Sequence, residues 1–147
     1  MAEFVFGTYR LEADVAATRA WYAAHGEIAG GCDCAYCRNF AAAIGGAPGE
    51  VLRFLRELGA DPLRPREVME LGREPDGRRL YEVIYHIAGL FGDREGPRME
   101  LLPEVHCGFS AECDLLPEEF PRPCFQLDLD LRLPWVLPEQ EEPRGGE

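Results

Sequence analysis

Lysine is absent from this chain, and all 15 residues of the Lys and Arg class are arginine. That excludes Schiff-base chemistry and the lysine of a phosphate-binding P-loop. Serine is nearly absent too. Ser110 stands alone in Phe109-Ser110-Ala111 without the flanking glycines of a nucleophile elbow, which leaves a serine hydrolase of that type with no nucleophile. Positive charge is scarce: 27 acidic residues against 15 arginines leave a formal charge of -12, which repels a phosphate backbone and anionic lipid. Nucleic acid is therefore not an expected partner. Long apolar runs are missing as well. Nothing reaches the roughly 20 residues of a membrane span, and Met1-Ala2-Glu3-Phe4 opens no basic, apolar export signal. The expectation is a cytoplasmic protein with no membrane association.

The 147 residues, 46% hydrophobic, suit one globular domain over 1–137. The remainder, 138–147, is rich in Glu, Pro and Gly and reads as a disordered acidic tail. Phe4 to Glu12 alternates loosely and reads as a first strand, after which Asp14 caps a helix that runs to His25 and closes at Gly26. A second helix is predicted from near Cys34 to Gly45-Gly46. A third is predicted from Pro48, with Val51, Leu52, Leu55 and Leu58 at helical spacing and Gly59 at its end.

From Glu67 the hydrophobic period changes. Glu67 to Leu71 reads as a strand, Pro75-Asp76-Gly77 as a turn, and Leu80 to Phe91 as a long strand with Tyr81, Val83, Tyr85 and Ile87 on one face. Met99 to Cys107 reads as a strand interrupted by Pro103, at an edge or a bulge. The leucines at 127, 129, 131 and 133 alternate with Asp128, Asp130 and Arg132, the pattern of a half-buried antiparallel strand. The expected class is α+β, with helices of the N-terminal half packed on a mainly antiparallel sheet from the C-terminal half.

The sharpest chemical signal is Cys32-Asp33-Cys34-Ala35-Tyr36-Cys37. In a reducing compartment such density points to a soft metal ion, and zinc suits sulfur ligands. Residues two apart in an extended segment, and three apart in a first helical turn, share a face, so all three thiols can converge. A helix N-terminus favours their ionised form, and Arg38 lies near enough in sequence to offset negative charge. The fourth ligand would come from His25, His86, His106, Cys107, Cys113 or Cys124. We favour His86, on the less apolar face of the long strand, with Cys124 second. In the His106-Cys107 segment, Cys107 groups with Val105 and Phe109 as a small core residue. Asp128 and Asp130 read as a solvated strand face.

The run Cys32 to Phe40, with Leu80-Tyr81 leading to Tyr85-His86 and Phe125-Gln126-Leu127 leading to Leu133-Pro134-Trp135-Val136, resembles a group of small uncharacterised bacterial proteins. The resemblance spans most of the chain and implies no activity. It adds weight to His86 through the Tyr-His step; Cys107, Cys113 and Cys124 depart from the pattern.

These features lead to a zinc-stabilised domain that binds a protein partner without catalysis, and whose unfolding should follow loss of the ion. The alternatives are a thiol-disulfide oxidoreductase or zinc-dependent hydrolase built on the same cysteines, and an acidic inhibitor or immunity-like protein that meets a basic partner.

Overall fold

The strongest alternation in the sequence becomes a strand whose apolar face is wholly buried: Phe125, Leu127, Leu129, Leu131 and Leu133 are all buried. Its neighbour is the long strand ending at Phe91, and the two pair antiparallel from Arg79↔Leu133 to Ala88↔Cys124. Around this pair the computed structural model, which describes residues 1–7, 9–92 and 98–139, builds an α+β fold. In chain order the elements are β1 (Ala2–Phe6), β2 (Tyr9–Ala13), α1 (Val15–His25), α2 (Ala35–Ala43), α3 (Gly49–Glu57), β3 (Glu67–Arg73), β4 (Arg79–Phe91), β5 (Met99–Leu102), β6 (Val105–Ser110) and β7 (Cys124–Leu133). The sheet order is β1-β2-β4-β7-β6-β5, with β3 also paired to β4, and every pairing is antiparallel.

The three helices fall where the caps and spacing place them. Asp14 Oδ1 accepts from Ala17 N at 3.1 Å and starts α1; Val51, Leu55 and Leu58 are fully buried beneath α3. Two strand readings differ from the structure. Phe4 to Glu12 is not one strand but a hairpin, because Gly7 adopts φ +58, a value at which a side chain is strained, and turns the chain. Met99 to Cys107 is likewise two strands: Pro103 has no N–H to give a ladder, so the chain reverses there and β5 becomes the sheet edge. Phe6 stacks on Phe109 at 6.1 Å and meets Phe54 of α3 edge-on at 4.9 Å.

One edge of β4 is shared by β2, from Gly89 to Phe91, and β3, from Arg79 to Ile84. The groups between them need other partners, since a buried unpaired amide costs as much as a lost hydrogen bond. Helix α1 supplies them. Tyr22 Oη donates to His86 O at 2.9 Å and accepts from His86 N at 3.1 Å, while Thr18 Oγ1 accepts from Ala88 N at 3.0 Å and Asp14 N donates to Ala88 O at 2.8 Å. Burial holds the Tyr22 phenol protonated far above its usual range. Tyr22→Phe strands two backbone groups, and urea unfolding should show a loss of about 2–4 kcal/mol. An unchanged midpoint would mean that α1 does not seal this edge.

Glu139 pairs with Arg38 of α2, and its carbonyl accepts from Trp135 Nε1 at 3.0 Å. The rest of the segment read as a disordered tail, 140–147, lies outside the described residues. Among the described residues no helix is long and apolar enough to cross a membrane.

Candidate metal centre

Cys32 and Cys34 lie in the extended lead-in to α2, and Cys37 in its first turn. Cys34 is the N-cap residue, with φ -66 and ψ 165, and its carbonyl accepts from Arg38 N at 2.9 Å. A short 3-10 turn, Ile28–Gly31, delivers the chain to this point. It needs glycine: Gly30 sits at φ +70, and a Cβ there would lie 2.9 Å from the Arg66 carbonyl oxygen. Ala29 beside it is buried at φ 49 and tied to Leu63 O at 3.0 Å, so packing holds an otherwise disfavoured backbone.

The Sγ atoms of Cys32, Cys34 and Cys37 all lie within 4.8 Å of one another. Zinc at about 2.3 Å from each sulfur of a tetrahedron sets thiolates about 3.8 Å apart, so closing the site takes shifts of about 1 Å or less. Among the described residues no fourth Cys, His, Asp or Glu joins the group. Cys37 is buried, whereas Cys32 and Cys34 are exposed. One wall is formed by Tyr36 and the β3 residues from Val68 to Leu71; on the other side stand Glu27, Arg66 and Leu115. Leu71 is 49% exposed because the β3–β4 register slips between Glu70 and Gly72, and Leu115 is 56% exposed.

The thiols differ in character. The Cys34 backbone N–H, and then the Cys37 and Cys34 thiols, donate toward Cys32 sulfur and hold its pKa below the ordinary thiol value. Burial first, and then its hydrogen bonds to the other two sulfurs, pushes Cys37 well up. Near pH 7, of these three thiols in the metal-free protein, Cys32 should therefore be alkylated by iodoacetamide first and Cys37 last. Peptide mass spectrometry reads the order directly, and equal rates would contradict this ranking.

His86 is not brought to the three thiols, which corrects the sequence-based choice of fourth ligand. Alternation along β4 sends Tyr81, Val83 and Tyr85 toward the helices, where Tyr81 Oη donates to Tyr36 O at 2.8 Å; His86 takes the opposite face. Its ring packs 5.8 Å from Phe120, donates to the Asp114 carbonyl and has the Gln126 side chain as a further partner. Burial depresses its pKa, so the ring is neutral near pH 7. Cys124 is placed elsewhere too, with its sulfur 4.0 Å from that of Cys113. Cys107 is a fully buried core thiol, as its pattern indicates, and burial raises its pKa to about 11. His25 stacks on Trp21 at 4.1 Å, and His106 faces Glu100 at 3.7 Å. Arg38 holds the loop through Asp33 O at 2.9 Å and pairs with Glu139. Asp128 is half-buried and bonded to Gln126 Nε2 at 3.0 Å, and Asp130 pairs with Arg98 at 3.0 Å, so this strand face is more engaged than simple solvation implies.

A residue to which the sequence assigned no role anchors the site from behind. Asn39 is fully buried, and its Nδ2 donates to Pro134 O at 3.1 Å and Tyr81 Oη at 3.3 Å, while its Oδ1 accepts from Val136 N at 2.7 Å. Tyr36 meets Trp135 edge-on at 5.9 Å. The cysteine run and the Leu133-Pro134-Trp135-Val136 run, far apart in sequence, are thus one contact surface. The chain's one asparagine, set between Arg38 and the apolar run Phe40 to Ala43 of α2, was the available signal, since buried polar groups are there to be hydrogen-bonded. Comparison of the chain with known protein families, curated protein sequences and solved structures gives no match.

Proposed function

We propose that this protein is a zinc-stabilised protein-binding domain without catalytic activity, in which Cys32, Cys34 and Cys37 hold the ion as thiolates at the surface. The observation that carries the reading is the convergence of the three sulfurs within 4.8 Å at the start of α2. Among the described residues no fourth ligand joins the three cysteines, so the fourth position would take a donor from outside, either solvent or a partner side chain. Three thiolates make an electron-rich site, which suits holding an ion better than activating water. Exposed Leu71 and Leu115 beside the thiols give a partner apolar surface to cover. Affinity capture from cell extract tests this. A partner retained by the zinc-loaded protein should be lost both on chelation and with Leu71→Glu; a partner indifferent to both would contradict docking at this face.

A second reading is favoured by the contrast between an exposed Cys32 of lowered pKa and a buried Cys37 of raised pKa. That is the arrangement of an attacking and a resolving thiol; on this reading a thiol-disulfide oxidoreductase would attack through Cys32 and resolve through Cys37, in place of the Cys34 and Cys37 pair that the C-x-x-C spacing suggests. Equilibration of metal-free protein with glutathione buffers tests it. A reversible Cys32–Cys37 disulfide with a defined two-electron potential would support exchange chemistry, and thiols that stay reduced would exclude it.

A further inference from the structure

A second concave site lies outside the cysteine cluster, between α1, the segment leading into β3 and the loop that carries Phe120. It is a cavity of about 210 Å³ whose lining includes Trp21, His25, Arg66, His86, Glu119 and Phe120. Three observations give it chemical character. One wall is aromatic: Trp21 meets Phe120 edge-on at 5.3 Å, and Phe120 meets the His86 ring at 5.8 Å. His86, 2% exposed, keeps one ring nitrogen bonded, while its Nε2 has no hydrogen-bond partner among the described residues. With the N–H committed to the Asp114 carbonyl, Nε2 of the neutral ring carries a lone pair, and a buried acceptor of this kind is costly unless something donates to it. The third is Arg66. Its guanidinium is exposed and has no ion pair among the described residues, in a protein that is otherwise strongly acidic. Arg64 next to it is already bound to Asp61 at 3.2 Å and to Gly26 O.

We propose that this cavity binds a small aromatic carboxylate bearing a hydroxyl group, with the carboxylate on Arg66, the ring against Trp21 and Phe120, and the hydroxyl donating to His86 Nε2. The volume is below the about 300–1,000 Å³ of sites for drug-sized ligands, which limits the occupant to a single ring with short substituents. One uncommitted guanidinium with Glu27 and Glu119 nearby favours a singly charged carboxylate over a doubly charged phosphate. The cavity adjoins the thiol cluster, since Glu27, Gly30 and Arg66 border both, but none of the three cysteines lines it.

The test uses 4-hydroxybenzoate as probe, with the two indole N–H resonances of Trp21 and Trp135 read by NMR. Trp135 lies against Tyr36, is not part of the cavity lining, and serves as the internal control. A saturable shift of Trp21 alone is expected. Arg66→Ala removes an exposed side chain and leaves the Arg66 N to Ile84 O bond, so the variant should fold and bind about tenfold or more weakly. Benzoate, lacking the donor, should also bind more weakly, and phenyl phosphate should bind no better. No saturable shift of Trp21, or binding unaffected by Arg66→Ala, would overturn the proposal; benzoate equal to 4-hydroxybenzoate would remove His86 from the recognition and overturn it as stated.

Discussion

Protein isolated without added metal is expected to contain about one zinc per chain, and stripping it should lower Tm by about 10 °C. The magnitude follows from linkage: a site bound at a thousand times its dissociation constant stabilises the folded state by about 4 kcal/mol. For a domain of this size each kcal/mol moves Tm by about 2–4 °C. Complete unfolding, the expectation from sequence alone, is no longer what the structure implies. The main core, from Tyr9 and Leu11 through Tyr81 to Leu133, draws on only one of the three thiols, Cys37. Cys32→Ser, Cys34→Ser and Cys37→Ser should each lose the ion, whereas Cys107→Ser and His86→Ala should retain it. Zinc lost in His86→Ala with the fold intact would restore His86 as a ligand.

Arg79→Met is expected to destabilise the domain by about 3–5 kcal/mol, the range for leaving one member of a buried ion pair uncompensated. Arg79 Nη1 lies 2.7 Å from Glu70 Oε2, and both side chains are 2% exposed. Burial of this kind makes the pair costly to break singly and inexpensive to replace as a unit, so Glu70→Met combined with Arg79→Met should recover most of the loss. The pair also bears on the thiols. Arg79 stands 5.5 Å from the Tyr36 ring centre, and Glu70 forms part of the wall beside Cys37. Urea titration of the two single variants and the double variant, each scored for zinc content, separates the effects. Strict additivity of the single changes would show that the two charges do not act together.

How much of this was legible in the sequence varied with the range of the interaction. Local rules placed α1, α2 and α3, because Asp14, Cys34 and Pro48 stand at their starts and apolar spacing runs behind them. Period-two alternation identified β4 and β7 and assigned the buried face of β7, since that pattern depends only on the pleat; β4 is buried on both faces from Val83 to Gly89, which alternation does not reveal. The convergence of Cys32, Cys34 and Cys37 followed from short spacing on a predictable backbone. The failures were long-range. Choosing His86 required knowing which face of β4 meets α2, and alternation fixes which residues share a face without saying which element covers it. Asn39 and Tyr81 join α2 to the segment after β7 across a separation of 95 residues between Asn39 and Pro134, beyond any local signal. The sealing of the β4 edge by Tyr22 and Thr18 was hidden for the same reason: their helical positions mark them as buried, not as hydrogen-bond partners of a strand. The turns at Gly7 and Pro103 are local, and there turn chemistry overrides the alternation on either side.

Zinc K-edge absorption on the protein as isolated tests the three-thiolate site most directly. The account predicts three sulfur scatterers at about 2.3 Å and one lighter donor without the outer-shell signature of an imidazole. A shell with fewer than three sulfurs, or one containing a histidine ring, would contradict it.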